Sequence, residues 1–293
     1  MKPSSYGPFE YSAIIDRPPL HWPDGARIAL WVAPNIEFFH LNAKLGGAAN
    51  VPNVPGWAER DYGNRVAVFR MMEVFDRYDL RATVCLNSDI CKFHPRIMEE
   101  GMKRSWEWMG HNTSNSFRPS DLARTEQQAM IHECLETITR FTGTRPKGWL
   151  GPGLQESWDT LDILAEEGIE YVCDWCNDDQ PYAITLDSGK RLVAVQYAHE
   201  LNDLPVFVRQ NRTADEFRDM ICRQFDVLYR EAERSSSGRV LAIALHPYLT
   251  GVPYRIDALD AALAYICKHD GVWRATGGEI TTAYLAQLAR AAA

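Results

Sequence analysis

Two near-continuous apolar runs, Arg27–Ala33 (RIALWVA) and Val240–Leu245 (VLAIAL), constrain the fold more than any other feature of the chain. A strand that is apolar on both faces must lie between two layers, as in a parallel sheet covered by helices. Further strands are expected at Ala82–Leu86, Trp106–Met109, Ile169–Cys173, Leu192–Tyr197 and Val272–Thr276, with a short one inside 145–153. Helical spacing separates them, at Gly63–Tyr78, Asp89–Glu100, Glu126–Phe141, Ser157–Gly168, Thr213–Glu233, Arg255–His269 and Gly278–Ala292. Strand and helix thus alternate about seven times, which predicts parallel strands joined by right-handed crossovers. The length suits one α/β domain, a (β/α) barrel of about seven parallel strands over 27–293. A Pro-, Gly- and Tyr-rich arm over 1–26 precedes it. Residues 42–64, rich in Gly, Pro and Asn, read as a long loop in which Trp57 and Tyr62 supply an ordered wall.

Composition narrows the function. The net charge is −8 and Lys and Arg never cluster beyond a pair, which argues against nucleic acid or an anionic membrane surface as partner. No apolar run approaches the ~20 residues of a membrane-spanning helix. The segment MKPSSYGPFEYS has no apolar core of the kind an export signal needs, so a cytoplasmic protein is expected. Its seven cysteines are then reduced thiols, Cys173 and Cys176 included, because zinc-ribbon use would need a second such pair. The arm carries Tyr6, Phe9, Tyr11, Pro18, Pro19 and Trp22 with little charge. It needs a surface to cover, and a homo-oligomer, dimer or tetramer, is expected.

Polar clusters fall just after expected strands: Asn35 and Glu37, His111 and Asn115, Trp149 and Pro152, Asp174, Asn177 and Asp178, Asn202 and Asp203, then His246. In a parallel barrel these positions converge on the carboxyl face of the strands, where catalysis is built. Gly110 is expected to permit a tight turn before His111. The spacing of His111 and Asn115 fits one face of a helix, with another helix starting near Pro119. No G-x-S-x-G elbow is present, so a serine hydrolase is disfavoured.

The order NxE, GH, GWxGPG, DWxNDDxPY, LNDLP and LHPYLTGxPxRI resembles the polysaccharide-deacetylase superfamily, and most closely its allantoinase-like and cyclic-imide-hydrolase branch. The resemblance runs from about Arg27 to Trp273. It implies that the barrel is distorted and that the reaction is hydrolysis of an amide C–N bond. Sugar deacetylases of this superfamily have two Asp after the first strand and two His four residues apart. Here Asn35 and Glu37 stand at the first pair, and His111 and Asn115 at the second. If a metal is bound, its ligands are Glu37, His111 and Asn115, and zinc or another divalent cation is the alternative to catalysis without a cofactor. Three protein ligands are the usual minimum for catalytic zinc, and the branch implied by the resemblance works without one.

The resemblance therefore implies a small cyclic amide or imide as substrate, opened by water. Glu37 is expected to be the base, with a pKa raised by partial burial. His111 orients or stabilises developing charge, and His246 protonates the departing nitrogen. Trp149, Trp175 and Tyr248 are expected to wall a flat ring, with Pro152, Asp178 and Asn35 beside it. Asn202 and Asp203 hydrogen-bond the ring amide. The competing readings are a metal-dependent carbohydrate N-deacetylase and a non-catalytic sugar- or metabolite-binding relative.

Overall fold

The computed structural model describes residues 4–43 and 52–292. Its strands are β1 (Ile28–Ile36), β2 (Thr83–Leu86), β3 (Glu107–Gly110), β4 (Gly148–Trp149), β5 (Tyr171–Val172), β6 (Tyr182–Thr185), β7 (Arg191–Ala194), β8 (Arg239–Leu245) and β9 (Val272–Arg274). They form one curled sheet in the order β6-β7-β5-β4-β3-β2-β1-β8, with β9 paired to β1. Every pairing is parallel except β6 with β7. The parallel strands therefore number eight rather than about seven. The antiparallel β6 is not among the expected strands: only one of its four residues, Ile184, is buried, so it lacks the apolar run that marks the others.

β1 is buried along its whole length, and so is β8. They pair from Ile28 with Arg239 to Pro34 with Leu245. This is the pair that the two apolar runs predict. Their ends are tied to the far edge of the sheet by an isolated parallel bridge between Asn202 and Ala244, in which Ala244 N–H donates to Leu201 O at 3.0 Å. That bridge turns an open sheet into a distorted barrel and brings the chain after β7 beside the end of β8.

Gly110 has no positive φ. A Cβ here would come within 2.7 Å of the Trp149 ring, so the glycine is required by the approach of β4 and not by a turn. Residues 111–118 form an irregular loop, Pro119–Asp121 is a single 3₁₀ turn, and the helix begins at Arg124. His111 and Asn115 therefore do not share a helical face. Within 42–64, Val54–Tyr62 is a helix, capped by Asn53 and with Pro55 in its first turn, and 44–51 lie outside the described residues.

The arm packs on its own barrel. Leu20 and Trp22 are buried, the Trp22 indole donates to Arg239 O at 3.1 Å, and Phe9 meets Trp175 and Tyr182 edge-on. Tyr11 and Ile15 stay exposed. The cysteines are free, and burial pushes the Cys176 thiol up to about 12, opposite to what a redox pair needs. No helix among the described residues is long and apolar enough to cross a membrane.

Candidate active site

A cavity of about 280 Å³ opens at the carboxyl ends of β1, β3, β4 and β8. Alternation along β1 sends Asn35 and Glu37 toward it and Ile36 into the core. Glu37 Oε1 accepts from Asn115 Nδ2 at 2.5 Å and lies 3.5 Å from His111 Nε2 and 3.8 Å from His246 Nε2. Glu37, His111 and His246, from three separate strand ends, meet around one oxygen. Glu37 Oε2 makes no hydrogen bond among the described residues.

Each imidazole is oriented from behind. His111 Nδ1 is 2.6 Å from Leu150 O. A carbonyl only accepts, so Nδ1 carries a proton and Nε2 is turned toward Glu37. His246 Nδ1 is 2.7 Å from Asp203 Oδ1. The other Asp203 oxygen accepts from His246 N–H at 2.7 Å and Thr250 Oγ1–H at 2.6 Å. Asp203 is fully buried behind the histidine, so it positions His246 and does not line the cavity.

Burial pushes Glu37 up, but the hydrogen bond from His111 and the charges of His246, His111 and Arg60 outweigh it. Its pKa is lowered, opposite to the raised value expected from sequence. Burial pushes His246 down, but the charge and hydrogen bond of Asp203, with Glu37, hold it above its ordinary value. The pair is thus a carboxylate facing an imidazolium over the same pH range.

Backbone groups fix the side-chain amides. Asn87 Oδ1 accepts from Phe38 N–H at 2.8 Å, and Asn87 Nδ2 donates to His111 O and, at 2.9 Å, to Asn115 Oδ1. Asn115 is therefore turned with its NH₂ toward Glu37 and, at 3.3 Å, His111 Nε2. An amide NH₂ offers no lone pair to a cation. Among the described residues no group of three or more His, Cys, Asp and Glu is placed to hold a metal ion. The donor set Glu37, His111 and Asn115 does not fit a three-ligand zinc site.

A second lock surrounds Tyr197, which sequence reasoning missed. Asn35 Nδ2 donates to Leu245 O at 3.1 Å and to Tyr197 Oη at 2.6 Å. Asn202 Oδ1 accepts from Leu204 N–H, which turns Asn202 Nδ2 toward the same hydroxyl at 3.4 Å. Tyr197 Oη thus accepts twice, and its own hydrogen has no acceptor among the described residues. The residue lines the cavity, and burial keeps it a phenol, well above its ordinary pKa.

Pro152, Asn202 and Tyr248 line the cavity. Trp149 does not: it is fully buried against Gly110. Trp175 and Asp178 do not either, because the loop after β5 turns outward onto the arm. There Arg17 clasps both Asp178 oxygens at 2.7 and 2.6 Å, and Trp175 packs on Phe9 and donates to Glu156. Behind Gly151, Asp174 pairs with Glu156, and burial lifts Asp174 to about 6. Arg60, Arg118, Arg209 and Phe39 line the mouth and had not been singled out. A larger groove of about 730 Å³ between arm and C-terminal helix is built around the Arg17 ion pair and gathers no acid–base cluster.

Residues 60–172 match the polysaccharide deacetylase family model. A peptidoglycan deacetylase of Helicobacter pylori is 23% identical over 76% of this chain and 85% of its own. The crystal structure of Puue allantoinase superposes with a TM-score of 0.82 at 26% identity, covering 92% of this chain and 94% of that one. A Pseudomonas aeruginosa structure described as a probable polysaccharide deacetylase gives 0.83 at 25% identity, covering 93% and 95%. Over residues 60–172 the chain is thus similar to polysaccharide deacetylases, and its structural neighbours include an allantoinase as well as a probable deacetylase.

Proposed function

We propose that this chain is a hydrolase that opens a cyclic amide or imide by attack of water on a ring carbonyl. The observation that carries the reading is the amide of Asn115, turned to donate to Glu37 and His111 where a sugar deacetylase needs a third metal ligand. Expelling the amine of an acetamide without a Lewis acid is hard. An imide or ureide nitrogen is itself acylated and leaves more readily, so acid–base groups suffice. The cavity, about 280 Å³, suits one small ring better than a run of sugar residues.

In this mechanism Glu37 Oε2 takes a proton from water as the water oxygen bonds to the carbonyl carbon. The carbonyl electrons move to oxygen, and the free Tyr197 hydroxyl hydrogen donates to that oxyanion. The C–N bond then breaks, and the nitrogen takes the proton from His246 Nε2. The product is an open-chain amide acid, one water heavier than the ring. Transfer of the proton from Glu37 to His246 through solvent resets the site. Asp203 and the carbonyl of Leu150 hold the two imidazoles.

Tyr197→Phe keeps the ring and removes the donor. It is expected to lower kcat by about 10²–10³, the cost of one oxyanion donor, with little change in KM. Unchanged kcat would remove Tyr197 from the mechanism.

The reading is tested with succinimide, hydantoin, 5,6-dihydrouracil and a chito-oligosaccharide assayed on the same preparation. Ring opening is followed by loss of ring absorbance, and deacetylation by acetate release. At least one ring should be opened and acetate should not accumulate. Acetate release with every ring inert would favour the carbohydrate N-deacetylase, the reading that the Helicobacter relative supports.

A further inference from the structure

The mouth of the cavity is positively charged in a chain whose net charge is −8. Arg60, Arg118 and Arg209 line it, and Glu37 is the single acidic residue in the lining. None of the three arginines has a carboxylate at ion-pair distance among the described residues, whereas Arg17, Arg65 and Arg104 elsewhere are each paired.

Arg60 is the most constrained. It comes from the helix Val54–Tyr62, and its guanidinium lies over the Phe39 ring at 4.5 Å and the Tyr248 ring at 5.4 Å. Nη1 donates to Gly56 O at 2.7 Å. Nε is shut off from solvent and has no hydrogen-bond partner, and Nη2 makes no hydrogen bond among the described residues. The aromatic rings fix the plane, the helix carbonyl fixes one corner, and Nη2 is the donor left accessible to a ligand. A charge-assisted hydrogen bond from Nη2 suits one oxygen of a carboxylate. Arg118 and Arg209, both exposed, add field at the entrance and steer an anion inward.

We propose that the substrate carries a carboxylate beside the bond that is cut, and that Arg60 holds it. This rests on the ring-opening reading for the identity of the reacting group, but the anion subsite is separable from it.

The test uses matched pairs: 5,6-dihydrouracil and its 6-carboxylate, and hydantoin and its 5-acetate. The kcat/KM of the carboxylated member should exceed that of the neutral one by tenfold or more, and the ratio should fall with added salt. Arg60→Met keeps an apolar stem between the rings. It should erase the preference through a rise in KM of about 10- to 100-fold for the anionic member only, the loss expected for one charged hydrogen-bonding partner. Should Arg60→Met fail to fold, the Arg118→Gln/Arg209→Gln protein, altered only at exposed positions, should still lower kcat/KM for the anion and flatten its salt dependence. Arg191→Gln, at the opposite end of β7, controls for overall charge.

Binding is read separately by calorimetry with succinamate and succinamide, neither of which contains a ring. Tighter binding of succinamate that disappears in Arg60→Met supports the subsite even if no ring is opened. Equal binding of the two, or a carboxylate preference that survives Arg60→Met, overturns it. Opening of neutral and anionic rings at the same kcat/KM overturns it while leaving the ring-opening reading intact.

Discussion

Glu37→Gln lowers kcat by about 10²–10⁴, the range for loss of a general base, while the protein keeps its fold. The substitution preserves size and can still accept from Asn115 through its carbonyl oxygen, so the local packing is retained. It removes the only carboxylate in the cavity lining, and with it the acceptor for the proton of the attacking water. Thermal unfolding and kcat should therefore separate: Tm changes little and turnover collapses. A folded Glu37→Gln protein with near-native kcat would move the chemistry elsewhere in the cavity, with His111 Nε2 the next base to test.

His246→Ala is expected to cost a comparable factor, about 10²–10⁴, by removing the acid that protonates the departing nitrogen. Its pH dependence is more informative. Glu37 is held below its ordinary value of 4.5, so the acid limb of kcat/KM lies below that pH. His246 is held above its ordinary 6.5, so the alkaline limb lies above that pH. A broad bell results. Asp203→Asn removes the charge that raises His246 and should draw the alkaline limb down toward or below 6.5, leaving the acid limb in place. Stability follows the same signs. The Glu37 contribution is present above pH 4.5 and is lost as pH falls through its depressed value. The His246 contribution is full below pH 6.5 and is lost as pH rises through its raised value. A profile whose alkaline limb ignores Asp203→Asn would show that another group is the acid.

Much of the fold was legible because β1 and β8 are apolar on both faces, a pattern only a covered parallel sheet satisfies. Glu37, His111 and His246 were legible for the same reason: each follows a recognisable strand. What failed had local causes. The helix Val54–Tyr62 read as loop because Pro52, Pro55 and Gly56 dominate its composition. Yet the Asn53 cap and a proline in the first turn are start signals, and weighing them would have placed Arg60 on a helix. Trp175 and Asp178 were assigned to the cavity because they follow a strand, but Phe9 and Arg17 of the arm claim them across more than 150 residues of sequence. The inward NH₂ of Asn115 depends on Asn87, Phe38 N–H and His111 O, a relay with no sequence pattern. The free hydroxyl hydrogen of Tyr197 likewise follows from two amides, each fixed by a different backbone group.

The central claim is a hydrolase whose acid–base pair works where the metal ligands of a deacetylase would stand. The measurement that tests it most directly is kcat/KM for ring opening against zinc content, in protein stripped by chelation and reloaded stepwise. The account predicts the same rate at every zinc content, from none to one ion per chain. A rate that vanishes on stripping and returns in proportion to bound zinc would contradict it.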